Sequence, residues 1–69
     1  VKAVSGKELC RILERHGWVP QRNRGSHHIN GREDRPDTIL VVPVHGNRSL
    51  KVGTQRGLMR DAGLTEVDS

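Results

Sequence analysis

The 69-residue sequence contains no Phe and no Tyr, and Trp18 is its only aromatic residue. Single-stranded RNA binders of the RRM and cold-shock kinds lay bases on exposed aromatic rings, so those readings are excluded. A lone cysteine, Cys10, has no partner for an internal disulfide. Nothing at the amino end resembles an apolar signal segment, and a reducing compartment, the cytoplasm, is expected. The longest apolar stretch, Ile39 to Val44 with Pro43 inside it, is far too short to span a bilayer, so no membrane partner is expected. A chain this short builds one small core. A single domain over residues 1–69 is therefore expected, without a deep walled cleft.

Twelve Lys and Arg against eight Asp and Glu give a net charge of +4, which points to an acidic partner such as nucleic acid or an acidic protein, although solubility alone also accounts for it. The apolar residues AVILMFWYC make up 32% of the chain, enough for a small core and little more.

Ser5 followed three residues later by Glu8 is a capping box, and it predicts a helix start. Leu9, Ile12, Leu13 and His16 then form one stripe, with Cys10 beside it, and Gly17 ends the helix. Trp18–Arg22 is expected as a first strand, at a sheet edge because Pro20 cannot donate to a ladder. Asn23-Arg24-Gly25 is expected to turn the chain. In a second strand, Ser26–Asn30, the strongly apolar Ile29 is expected to look inward, with His27 on the same face and His28, Ser26 and Asn30 on the other. Gly31–Asp37 has nothing to bury and is expected as a solvated loop. Thr38–His45 is the most β-prone run, a third strand apolar on both faces, so one helix layer leaves part of it uncovered. Leu50, Thr54, Leu58 and Ala62, with Met59 beside them, mark a second helix ending at Gly63, and Thr65 with Glu66 is a possible start of a third. The order α-β-β-β-α describes an α+β fold, a three-stranded antiparallel sheet with two helices on one face.

The four histidines and Cys10 do not have the spacing of a zinc site, because His27 and His28 point to opposite faces of a strand and no second cysteine stands near Cys10. No metal and no cofactor is expected. His16 reads as a packing residue at a helix end and His45 as a turn residue. Gly25-Ser26-His27-His28 is different: a glycine admits a ligand's backbone, and a strand then presents an imidazole beside a hydroxyl. Arg22 and Arg24 flank this turn, while Arg56 and Arg60 lie four apart on the second helix, downstream of Arg48 and Lys51. These cations suit a phosphodiester backbone. Solvated faces, with Arg60 balanced by Asp61, explain them nearly as well. No paired carboxylates, Walker lysine or Ser/His/Asp set is legible.

Ser5-Gly6-Lys7-Glu8-Leu9, Gly17-Trp18, Arg22 and Gly25-Ser26-His27-His28 closely resemble the HicA toxin family, the YcfA-like mRNA interferases. The resemblance continues through Val42-Pro43-Val44-His45-Gly46, Gly53-Thr54 and Leu58-Met59-Arg60-Asp61-Ala62-Gly63-Leu64, and so spans Val4 to Leu64. It implies a double-stranded-RNA-binding-domain-like fold, metal-independent endoribonuclease cleavage of mRNA, and neutralisation by a HicB-type antitoxin. It also implies that His28, the last residue of Gly-Ser-x-His, is catalytic. RNA contacts are expected from Arg22, Arg24, Gly25, Ser26, Arg56 and Arg60, with Arg22 or Arg24 stabilising charge at phosphorus. The sequence departs from the family pattern at Asn30, where an aromatic or aliphatic residue is common, and in the length of Gly31–Asp37. A non-catalytic RNA-binding module and a protein-interaction domain are the rival readings. The antitoxin is expected to cover His28 and to use the outward side of the third strand.

Overall fold

A computed structural model describes residues 2–65. Helix α1 spans Gly6–Arg15, strands β1, β2 and β3 span Val19–Arg24, His27–Arg32 and Arg35–Pro43, and helix α2 spans Val52–Asp61. The strands form one antiparallel sheet in the order β1-β2-β3. Both helices cover the same face, since Leu40 and Val42 of β3 are buried with Leu9, Ile12 and Leu13 of α1 and Met59 of α2, whereas Ile39 and Val41 are exposed. The expected α-β-β-β-α fold and the surplus apolar face of β3 are both present.

Helix α1 begins as its capping box requires. The Glu8 N–H donates to Ser5 Oγ at 3.1 Å and the Ser5 N–H donates to Glu8 Oε1 at 3.0 Å, pairing two amides that the first turn leaves open. Gly6 lies against the end of β3 so closely that a Cβ there would stand 2.0 Å from the Pro43 carbonyl oxygen. Only glycine lets helix and strand approach this far.

The strand ends differ from expectation. Trp18 precedes β1 and is buried at 1% exposure, with the Arg32 and Arg35 guanidinium carbons 5.7 and 5.5 Å from its ring centre. Strand β1 runs on to Arg24 and is exposed throughout, with a bulge between Pro20 and Arg22, which suits its edge position. The turn is Gly25-Ser26 rather than Asn23–Gly25, because Gly25, at φ +60°, provides the left-handed residue that a two-residue hairpin loop demands.

The expected Gly31–Asp37 loop is instead a second tight hairpin, in which Arg32 pairs with Arg35 around Glu33-Asp34. Arg32 donates to both Asp34 carboxylate oxygens, at 2.8 and 3.1 Å, and to the His16 carbonyl, so the turn is held by one side chain. An absence of apolar residues did not prevent pairing, because these residues extend strands whose other ends are already fixed by the core.

The facing of β2 is the reverse of the expectation. Asn30 is 1% exposed and pairs with buried Leu40, and half-buried His28 pairs with buried Val42, so both stand on the helix-covered face. Exposed His27 and half-buried Ile29 stand on the open face, Ile29 opposite Val41. The physical reason is that β3 sets the parity: burying Leu40 and Val42 outweighs burying the single Ile29.

Helix α2 is also rotated from the expected stripe. Gln55, Met59 and Ala62 are buried, Leu50 and Leu58 only half so, and Thr54 is exposed. Gln55 Oε1 accepts from the Val4 N–H at 3.0 Å and its Nε2 donates to the Lys2 carbonyl at 2.7 Å, so a polar residue takes an inward position by satisfying the amino-terminal segment. The Leu50 N–H completes that seam on the Val4 carbonyl at 2.8 Å. The expected third helix at Thr65 and Glu66 falls largely on residues 66–69, outside the described residues.

Candidate nucleic-acid interface

Two motifs separated by more than a dozen residues meet at one end of the sheet. The Val44 N–H donates to the Ser26 carbonyl at 2.7 Å, Pro43 pairs with His27 and Val42 pairs with His28. Gly-Ser-His-His and Val-Pro-Val-His-Gly thus form adjacent strand ends. The α1 amino end packs on them through Gly6. His28 is half-buried beneath the helix layer, Ser26 is half-buried in the turn, and the β1 neighbour of His28 is Asn23, a polar residue that the sequence pattern did not single out.

The expected RNA contacts are not all brought together. Arg22 pairs with Ile29 and Arg24 with His27, so both arginines leave β1 on the open face, whereas His28 stands on the covered one. Gly25 and Ser26 lie in the turn next to His28. Arg56 and Arg60 are exposed on α2, but Arg60 borders a shallow depression with Arg35, Asp37, Thr38 and Ile39, toward the opposite end of β3, and is 3.5 Å from Asp61. The expected antitoxin surface on β3 needs the same revision. A partner seated on Ile39 and Val41 lies on the sheet face opposite His28.

Asn30 is not available for base contact. Its Nδ2 lies 3.9 Å from Cys10 Sγ and 3.4 Å from the His28 carbonyl, and its buried Oδ1 has no protein partner. Burial raises the pKa of the Cys10 thiol, partly offset by the Asn30 contact, so the sulfur is held as a thiol. Arg32 is similarly committed: its hydrogen bonds to Asp34 hold that carboxyl below its ordinary range. Among the described residues no group of three His, Cys, Asp or Glu side chains is placed to hold a metal ion. No helix among them is long and apolar enough to cross a membrane.

Sequence reasoning gave His45 only a turn role and grouped Arg48 and Lys51 with the arginines of the second helix as backbone-binding cations, without placing them at a cleft. With Pro43, Ser49, Leu50 and Thr54 they line a cleft of about 330 Å³ between the end of β3 and the start of α2. The available signal was the run of basic and hydroxyl residues between the two glycines, Gly46 and Gly53.

A small α+β chain that joins two histidine-bearing motifs at the end of an antiparallel sheet, under a net positive charge, belongs to a recognisable class. The profile of the family described as HicA toxin of bacterial toxin-antitoxin matches residues 6–64, which include every helix and strand of the fold. The chain belongs to the HicA toxin family, the toxins of bacterial toxin-antitoxin systems. No match was found among curated proteins.

Proposed function

We propose that this chain is a metal-independent endoribonuclease toxin, one domain over residues 1–69, that cleaves mRNA in the cytoplasm with His28 as its central proton-transfer group and is neutralised by a HicB-type antitoxin. The observation that carries the reading is the junction of the Gly-Ser-x-His and Pro-x-His-Gly motifs around His28 in a chain of the HicA family.

Cleavage through the ribose 2'-OH needs a base for that hydroxyl, stabilisation of negative charge on the pentacoordinate phosphorus, and a proton for the departing 5'-oxygen. Imidazole performs either proton transfer near neutral pH, a contribution of about 10² to 10⁴-fold. His28 is half-buried beside the turn, so it is not wholly enclosed by the helix layer. Gly25, without a side chain, and Ser26, with a hydroxyl, supply the close approach and a hydrogen-bonding group. Because Arg22 and Arg24 leave the sheet on the other face, they act on the more distant backbone, and the charge at phosphorus must be met from the side of His28.

The test is RNA cleavage by the wild-type chain against His28→Ala, with an all-2'-deoxy oligonucleotide in parallel. Cleavage of RNA alone, abolished by the substitution, is the expected result. Salt-dependent RNA binding with no turnover would replace this reading with a binding module. Equal cleavage of the deoxy strand would remove the 2'-OH as nucleophile.

A further inference from the structure

The cleft between β3 and α2 contains a concentration of positive groups that the proposed chemistry has not used. His45, Arg48 and Lys51 line it together with the hydroxyl residues Ser49 and Thr54, and no carboxylate is among its lining residues. Arg48 and Lys51 are exposed, so neither cation is spent on the core. The two helices differ at their amino ends in the same sense. Helix α1 is closed by Ser5 and carries Glu8 in its first turn, whereas α2 opens at Lys51 without a side-chain cap and without an acidic residue in its first turn. The peptide N–H groups there add to the positive potential of the cleft instead of being satisfied by a local side chain.

The cleft adjoins the candidate site. Pro43 forms part of its wall and directly follows Val42, the cross-strand partner of His28, so the backbones of Pro43 and His28 are separated by one strand spacing and one residue step, roughly 10 Å at most by sheet geometry. A cationic, open cleft walled by that strand end suits a phosphate of a strand whose reacting phosphodiester lies at the imidazole.

We propose that this cleft is a phosphate-binding subsite for the RNA backbone, formed by Arg48 and Lys51 with His45, Ser49 and Thr54, that holds a phosphate flanking the one at His28. The inference rests on the ribonuclease reading for the identity of the strand, and on the cleft itself for the chemistry. Its occupant is a phosphodiester of RNA, because an open cleft beside a strand end admits a continuing chain on both sides.

The experiment measures binding of an uncleavable 2'-O-methyl RNA oligonucleotide to the full chain as a function of salt, for wild type, Arg48→Gln, Lys51→Gln and the double variant. Each lost contact is expected to flatten the log-log salt slope by about 0.7, and the pair by about twice that. Both side chains are exposed, so the unfolding midpoint followed by Trp18 fluorescence is expected to stay unchanged. Backbone amide shifts of Gly53 and Thr54 in a parallel titration with inorganic phosphate separate a free-anion site from a backbone subsite. Shifts with phosphate but an unaltered RNA slope in the double variant would overturn the proposal, as would loss of antitoxin affinity with RNA binding intact. RNA cleavage by the wild type together with an unchanged slope defeats the subsite and leaves the ribonuclease reading standing. A reduced slope in a chain that never cleaves RNA does the reverse.

Discussion

Asn30 and Cys10 meet between β2 and α1, with the Asn30 Nδ2 at 3.9 Å from the Cys10 sulfur. That contact identifies the side of the sheet on which His28 stands. Residues two apart on a strand share a face, so an Asn30 turned toward α1 brings His28 under the helix layer and turns His27 to solvent. His28, the proposed proton-transfer group, is thereby half-buried under the helix layer rather than fully solvated.

The two histidines should accordingly fail in different ways. His28→Ala is expected to abolish RNA cleavage and also to cost about 1 kcal/mol, the usual scale for truncating a partly packed side chain. His27→Ala, on the open face, is expected to stay within about 0.5 kcal/mol of wild type and to cleave RNA. Urea unfolding with a cleavage assay on each variant checks both, and a destabilised His27→Ala beside an unaffected His28→Ala would reverse the facing of β2.

Gly6→Ala should be among the most damaging single-methyl additions in this chain. The new Cβ meets a carbonyl oxygen, which is backbone and cannot rotate away, so α1 must shift off the end of β3. Overpacking of this kind costs about 1–3 kcal/mol, and displacement of the helix also disturbs the strand end beside His28. Loss of both stability and cleavage is expected; a variant with wild-type unfolding would show that α1 approaches less closely.

Gln55→Leu keeps the side-chain volume but removes both hydrogen bonds to the amino-terminal segment. The buried Val4 N–H is then left without its acceptor, for which about 1–3 kcal/mol is the expected loss. The amide of Val4 should exchange with deuterium faster in this variant than in the wild type. Unchanged exchange would mean that another acceptor takes over.

Acid should weaken the fold through two exposed carboxylates. The Ser5 N–H holds the Glu8 carboxyl below its ordinary 4.5, and the hydrogen bond from Arg32 holds Asp34 below its ordinary 3.8. A carboxyl whose folded value is depressed binds protons more readily in the unfolded chain. Its contribution is therefore complete above the unfolded value and is lost as pH falls through the folded one. The thermal midpoint should decline below about pH 4.5 for Glu8 and at still lower pH for Asp34, with Glu8→Gln flattening the upper part of the decline and added salt weakening the remainder. A Glu8→Gln profile that parallels wild type throughout would remove the capping box from the acid response.

The start of α1, the edge position of β1, the order of the five elements and the two histidine motifs were legible in the amino-acid sequence, because each depends on residues within a few positions of one another. Ser5 and Glu8 satisfy amides in their own turn, and Pro20 lacks a donor wherever it is placed. Which face of β2 turns inward was not legible, since β3 offers apolar residues to both sides and only the packing of Leu40 and Val42 against both helices chooses between them. The hairpin at Glu33-Asp34 depended on Arg32 reaching both Asp34 and the His16 carbonyl, and the inward turn of α2 depended on Gln55 meeting a segment some fifty residues away. The cleft at Arg48 and Lys51 likewise exists only where the end of β3 comes to lie beside the start of α2. Local hydrogen bonds and backbone restrictions are written in neighbouring residues, whereas strand facing, helix rotation and convergent charge follow from which distant surfaces bury each other best.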